Sequence, residues 1–228
     1  KNDTEGDIWA QIAANNKAKK RTCELVENKG LELLQKSMSS IMDYSEKRMR
    51  KGIKKIPNGK YSFVDFLEGD SITENRIAIR ATVEVLDEEV NIDFTETDDQ
   101  TAGPLNSRRP ITLSCVYYVI KAIVDPDLPA NDGAYRPISA ETREGSLLES
   151  NYPAPVCNSN IITDQRIVDV LLGALQEAVP EKVIAACSGT MNLFNIGGVN
   201  TVNGEYLNYI ETYGGGQEEM HDLDRMKA

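Results

Sequence analysis

The spacing of hydrophobic positions changes period along the chain. Residues 7–29 place Ile8, Ile12, Ala13, Leu25 and Val26 among charged neighbours. Residues 31–53 place Leu33, Leu34, Met38, Ile41, Met42, Met49 and Ile53 three and four apart. Both patterns predict amphipathic helices, because residues three and four apart share a helical face. Gly30 falls between them, where a helix-ending glycine fits, so a helical hairpin or a bent long helix is expected. Pro57-Asn58-Gly59 then predicts a turn. Beyond it the period becomes two: Tyr61, Phe63 and Asp65 alternate with Ser62, Val64 and Phe66. Residues 76–95 alternate likewise around an acidic turn at Asp87-Glu88-Glu89, the mark of an antiparallel hairpin with one buried face.

Helical spacing returns at residues 110–124, which open on Pro110 and are apolar nearly all round, predicting a helix buried inside the fold. A loop with Pro126, Pro129, Asn131, Gly133 and Pro137 follows, then short extended pieces. A second helix is expected at about 163–178, with Ile167, Val168, Leu171, Leu172 and Leu175 on one side and Thr163 or Asp164 as its cap. The last third carries glycine turns at Gly197-Gly198, Asn203-Gly204 and Gly214-Gly215-Gly216 around an expected strand at residues 205–212. There is no internal repeat. The pattern predicts an α+β fold: an N-terminal amphipathic helical arm over residues 1–56, then a mixed, largely antiparallel sheet body with two buried helices over residues 57–228.

Composition narrows the function classes. At 228 residues, 40% apolar and 27% charged, the chain is long enough to bury a sizeable core and has the balance of a globular protein. Its net charge of −11 argues against nucleic acid and anionic membrane surfaces as partners. The charge is uneven: residues 1–60 hold 14 Lys+Arg against 8 Asp+Glu, a local +6, and residues 61–228 hold 11 against 28, a local −17. The basic run Lys47, Arg48, Arg50, Lys51, Lys54 and Lys55 is read as the solvated side of a helix, with docking of an acidic partner as the alternative. Cys23, Cys115, Cys157 and Cys187 form no CxxC pair, and a reducing, cytoplasmic setting fits them. No apolar run reaches the roughly 20 residues of a membrane span, and no signal-peptide pattern opens the chain. The chain begins without Met on what reads as the middle of a helical region, so a fragment or processed product is expected.

Chemistry-bearing residues are sparse. With His221 as the single histidine, the chain cannot build a His-pair metal site or a Ser-His triad by itself, and no metal site is expected in it. The acidic cluster Asp93, Glu96, Asp98 and Asp99 matches no EF-hand loop and is read as a strand end and turn rather than a hard-cation site. Gly214-Gly215-Gly216 lacks the Lys that a phosphate loop carries after its glycines. Asn106, Asn158, Asn160, Asn192 and Asn195 lie beside Gly, Pro or Ser, where an amide either holds a substrate carbonyl or N–H or closes a turn. Arg166 and Asp169, three apart on a helix, suit an ion pair, whether on the surface or functional.

An ordered series of segments resembles the hydantoinase B/oxoprolinase family. It comprises DIWAQIAANNKAKKR at 7–21, NIDFTETDDQTAGPLN at 91–106, the stretch from Ile111 to Ile138, EGSLLESNYPAPV at 144–156, DQRIVDVLLGAL at 164–175, GTMN at 189–192 and ETYGGG at 211–216. The resemblance covers roughly residues 7–216 and rests on their order. It implies the C-terminal half of a B-type subunit of an ATP-dependent cyclic-amide hydrolase acting on hydantoin, 5-oxoproline or a related lactam. The implied partners are a hydantoinase A-type subunit that binds ATP and the N-terminal half of the B-type subunit, which carries a divalent metal. In that scheme the amide oxygen is phosphorylated and water at the metal attacks the activated carbon. Related complexes carboxylate acetone or acetophenone, which is the alternative function; a noncatalytic scaffold fragment is another. Asn106, Asn160, Arg166 and Asn192 fall in or beside the resembling segments and are the expected pocket-lining residues; the resemblance assigns no catalytic residue.

Overall fold

The computed structural model describes residues 2–184 and 188–213. Cys187, His221 and Gly214-Gly215-Gly216 lie outside the described residues. Two helices open the chain: α1 (Asn2–Lys29) and α2 (Leu31–Ile53). Gly30 sits between them at φ +81°, a left-handed conformation that suits glycine. The arm is exposed along nearly its whole length, Ile8, Trp9, Ile12, Leu33, Met38 and Ile41 included. From Ser45 onward α2 joins the body through the buried residues Ser45, Met49 and Ile53.

The body is built on a four-stranded sheet of β1 (Gly59–Leu67), β2 (Ile77–Leu86), β3 (Glu89–Asp93) and β4 (Ile138–Glu141), in that order. The first two pairings are antiparallel and the last is parallel, so the α+β fold and the largely antiparallel sheet are as expected. β2 buries Ile77, Ile79, Ala81, Val83 and Val85 on alternate positions, the one-face pattern of a sheet packed on one side. The two buried helices are α3 (Arg109–Val124) and α5 (Thr163–Leu175), which pack on each other. A single helical turn, α4 (Asp132–Tyr135), lies against α2. α5 lies across β1 and β2 and buries Ile167, Val170, Leu171 and Leu175. Each such side chain contributes about 1.5–3 kcal/mol by leaving water. α3 is less enclosed than its composition predicts: Ile111 and Tyr118 face solvent. The expected cap of α5 is not formed. Thr163 donates its hydroxyl to the Leu105 carbonyl at 2.5 Å, and Asp164 instead accepts from Ser107 and Ser159.

A separate hairpin, β5 (Asn192–Val199) with β6 (Tyr206–Tyr213), pairs with no other strand among the described residues. Half of the basic run at the end of α2 is matched within the chain: Arg48 pairs with Asp125 at 2.6 Å, Arg50 with Glu46 and Glu89, and Lys54 with Glu88. No helix among the described residues is long and apolar enough to cross a membrane. Of the described cysteines, Cys115 is buried while Cys23 and Cys157 are exposed, and all three are free.

Two loops are locked by one carboxylate. Asp70 follows β1 and is 1% exposed. One of its oxygens accepts from the backbone N–H groups of Ile72 and Thr73 at 2.9 and 2.6 Å, and the other from Gly103 at 2.9 Å. Gly103 has no room for a side chain, since a Cβ would stand 1.8 Å from the Asp70 carbonyl oxygen. The N–H bonds of Thr73, Gly103 and Ile72 hold the Asp70 pKa down at about 2, against an ordinary 3.8. A depressed carboxylate contributes stability that is complete above its unfolded value and is lost as pH falls from 3.8 toward 2. Asp70→Asn should therefore unfold at lower urea than the parent at pH 6, and the gap should narrow between pH 4 and 2; an unchanged gap would contradict this role. At the foot of the arm, a Cβ on Gly133 would lie 2.0 Å from the Met42 carbonyl oxygen. Gly133→Ala is expected to cost about 1–3 kcal/mol in urea unfolding, the usual penalty of overpacking.

Candidate functional site

The Asp70-locked loop forms one wall of a cleft of about 560 Å³. This wall presents Glu68, Ser71, Thr73 and Glu74. Its backbone is held in uncommon conformations, Gly69 at φ +148° and Ser71 at φ +69°, and a non-glycine residue there is a mark of local strain that surrounding contacts must maintain. Phe66, Leu67 and Leu105 supply an apolar lining. Facing them are Ile162 and Arg166 at the start of α5, with Ser188, Gly189 and Thr190 just before β5.

Arg166 is the cleft's most constrained side chain. Its guanidinium meets Asp65 of β1 at 2.5 Å and Asp169, one helical turn on, at 3.8 Å. Asp169 is 8% exposed while the Arg166 and Asp65 side chains stay 21% and 32% exposed, so this is a partly buried ion cluster rather than a surface pair. The Arg166 Nε is buried with no hydrogen-bond partner in the structure, a donor left over in a residue that lines the cleft. Gly189, at φ +68°, closes over this group: a Cβ there would lie 2.2 Å from an Arg166 terminal nitrogen. The segment is held at the head of α5 by the Met191 N–H, which donates to the Ile161 carbonyl at 2.7 Å, and by the Thr190 hydroxyl, which donates to the same oxygen at 3.3 Å.

These bonds bring three of the four sequence-selected residues to one end of the body. Arg166 lines the cleft itself. Asn160 is exposed in a one-turn 3-10 segment, Ser159–Ile161, directly before α5. Asn192 is half-buried and opens β5, one residue beyond the Met191–Ile161 bond. Asn106 stands apart in role. It is fully buried, accepting from the Thr101 N–H and donating to the carbonyls of Thr101, Gly103 and Pro155 at 2.9–3.0 Å. Its amide clamps the loop that carries Leu105, so it shapes the cleft without facing it. Of the other asparagines, Asn158 hands its carbonyl to Ile161 and Ile162, and Asn195 lies exposed on β5.

Beneath the cleft, Asp164 is half-buried. Burial raises its pKa, while bonds from the Ser159 and Ser107 hydroxyls oppose the rise. The neighbouring Cys115 thiol is pushed up to about 12, by burial first and by the Asp164 charge second, which makes it a poor nucleophile. The acidic cluster is engaged structurally: Asp93 accepts from Thr95, Asp98 from the Ala78 N–H and Arg80, and Asp99 pairs with Arg143. Among the described residues no three His, Cys, Asp or Glu side chains gather as metal ligands. The described residues of the cleft therefore offer no donor set that fits a divalent metal.

Sequence reasoning missed Asp65 and the wall at residues 68–74. The signal available was a carboxylate set in a hydrophobic strand pattern at Asp65, and the turn residues Gly69-Asp70-Ser71 that follow it. Chemically, the cleft offers hydroxyl and guanidinium donors, two carboxylates and an apolar lining. That combination suits a small, compact molecule with a polar edge.

Comparison with known proteins gives this geometry a family. The family model for hydantoinase B/oxoprolinase matches residues 1–224. The chain is 35% identical over 213 residues to the protein named MJ0963 from Methanocaldococcus jannaschii, covering 93% of this chain and 36% of that one. It is 32% identical over 237 residues to the putative B-type subunit of a D-/L-hydantoinase from a Pseudomonas species, covering 98% and 40%. The crystal structure of an ATP-dependent caprolactamase from Pseudomonas jessenii superposes with a TM-score of 0.80 at 26% identity, covering 90% of this chain and 35% of that chain. The chain thus spans little more than a third of the length of these relatives. It belongs to the hydantoinase B/oxoprolinase family.

Proposed function

We propose that this chain is the C-terminal part of the B-type subunit of an ATP-dependent cyclic-amide hydrolase, and that the Arg166 cleft helps to seat the lactam. The observation that carries the reading is the coincidence of two facts. The family match runs across the chain, and the segments 164–175 and 189–192 that resemble the family meet at Arg166 and Gly189. A lactam oxygen would accept from the outer N–H groups of the Arg166 guanidinium or from the Ser71 hydroxyl, and its ring methylenes would lie on Phe66, Leu67 and Leu105. Asp65 and Asp169 hold the guanidinium in place, so its donors are oriented before substrate arrives.

In this reading ATP belongs to an A-type partner and the divalent metal to the remaining part of the B-type subunit. ATP supplies a phosphoryl group that turns the amide oxygen into a leaving group, and the metal supplies an activated water. The contribution of this chain's own residues is to bind and orient the substrate. Glu68 and Glu74, with Asp65 and Asp169, leave the cleft acidic on balance, which favours a neutral lactam over an anionic one. Free cysteines in a chain of this kind fit a cytoplasmic setting.

The test is ATP turnover by the reconstituted complex of this chain, the rest of the B-type subunit and an A-type subunit. The substrates are hydantoin, caprolactam, 5-oxoproline, and acetone with bicarbonate. Stimulation by a lactam without bicarbonate is expected, with a neutral lactam better than 5-oxoproline; stimulation by acetone only with bicarbonate would replace the hydrolase with a carboxylase. Arg166→Lys, which keeps the charge but loses the planar fork, should lower lactam-dependent kcat/KM by about 10–100-fold. Gly189→Ala should do so comparably by displacing the guanidinium. Both variants should leave unstimulated ATP turnover unchanged, and a lactam response equal to that of the parent would remove Arg166 from the site.

A further inference from the structure

The β5–β6 hairpin is built like the inside of a protein yet lies on its outside. Its register places Phe194, Ile196, Leu207, Tyr209 and Tyr213 on one face, and Leu193, Val199, Tyr206 and Ile210 on the other. All of these are exposed, Ile196 to 58% and Ile210 to 55%. A strand pair apolar on both faces is the pattern of a sheet covered on both sides. A two-stranded hairpin alone in water is marginal.

Its edges point the same way. Residues 192–213 contain no Lys, Arg or Pro and only Glu205 and Glu211 as charges, so the devices that keep an exposed edge strand from pairing are missing. On the first face Gly198 stands in open space, with nothing within 4 Å of where its Cβ would be. A bare glycine inside a strand marks a place where another backbone can come close. The hairpin also starts where the cleft ends, since Ser188, Gly189 and Thr190 lead directly into β5.

We infer that the β5–β6 hairpin is the docking surface for the remaining part of the B-type subunit, the polypeptide that family relatives carry outside the matched segment. The inference rests on the proposed function for the identity of the occupant. The relatives supply the reason for choosing it: this segment makes up 36% of the M. jannaschii protein, 40% of the Pseudomonas hydantoinase polypeptide and 35% of the caprolactamase chain. In each, more than half of the polypeptide is available to cover such a surface. A second copy of this chain is the weaker occupant, because it would bring the same net −11 against itself. Docking on the hairpin would wall the cleft beside Ser188–Thr190 from outside, so the site would be completed by two stretches of polypeptide.

The test is co-expression of this chain with the B-type remainder encoded in the same genome, with hydrogen exchange measured on the chain alone and in the complex. Amides of residues 192–213 should exchange rapidly in the chain alone and gain at least 100-fold protection in the complex. Ile196→Lys and Ile210→Lys, one on each face, should weaken association at least tenfold while leaving the thermal unfolding of the isolated chain unchanged. If the complex forms with the hairpin unprotected and both variants bind like the parent, the hairpin is not the docking surface, although the B-type reading survives. If the genome encodes no such remainder, or the two do not associate at micromolar concentration, both the occupant and the B-type reading fail. If light scattering shows the isolated chain as a dimer that Ile196→Lys dissociates, the occupant is a second copy and the inference is overturned.

Discussion

The ion cluster that joins α5 to β1 governs the shape of the site. α5 packs on the sheet through Ile167, Val170, Leu171 and Leu175, with Gly173 set close against the Phe63 ring of β1. Asp65, Arg166 and Asp169 add to that registry at the head of the helix, because a partly buried guanidinium must meet its carboxylates or remain uncompensated. Removing one partner leaves a partly buried charge short of its counter-ion, a loss that water moderates because the Arg166 and Asp65 side chains stay 21% and 32% exposed. Registry of α5 then sets the position of Ile161, and Ile161 anchors residues 190–191. One electrostatic constraint thereby positions both the cleft wall and the start of the hairpin.

Asp70 applies the same logic on the opposite wall. A buried carboxylate satisfied by three backbone N–H groups holds the 68–74 loop against the 101–106 loop, and Asn106 ties the latter to Pro155. Ser71 can stay at positive φ because these bonds over-determine the loop around it. Rigid walls suit a site whose task is orientation, since a bound molecule then loses little freedom beyond its own.

Much of this was legible in the sequence, and the misses share a cause. Periodicity located α2, β2, β3, α3 and α5 because each buries one face or stripe, and burial is what hydrophobic spacing records. Arg166 was found through the family-like segment around it. β5 escaped notice because Leu193, Phe194, Ile196 and Val199 are interrupted by Asn195 and the Gly197-Gly198 pair, which reads as a turn. β4 has only four residues and pairs in parallel with β3, so its partner is some 48 residues away and no local signal announces it. Asn106 shows a different gap: sequence pattern identifies an amide in a loop but not whether its four bonds go to a ligand or to the backbone. Here they go to the backbone.

The misread of β5 bears on the site as a whole. Hydrophobic spacing predicts elements by the faces they bury within the same chain, so a strand apolar on both faces has no place in a body that leaves it exposed. Local propensity and tertiary placement disagree at the hairpin, and natural sequences concentrate such disagreements at functional or partner-dependent places. The arm differs in kind. Its apolar residues are set among lysines and glutamates, including Lys20, Arg21 and Glu24 in bonded pairs, so a helix can stand in water there with its backbone bonds satisfied internally. A strand pair instead leaves its outer backbone groups to water, where another chain or segment can take the solvent's place. The hairpin, rather than the more conspicuous arm, is therefore the element that the docking inference singles out.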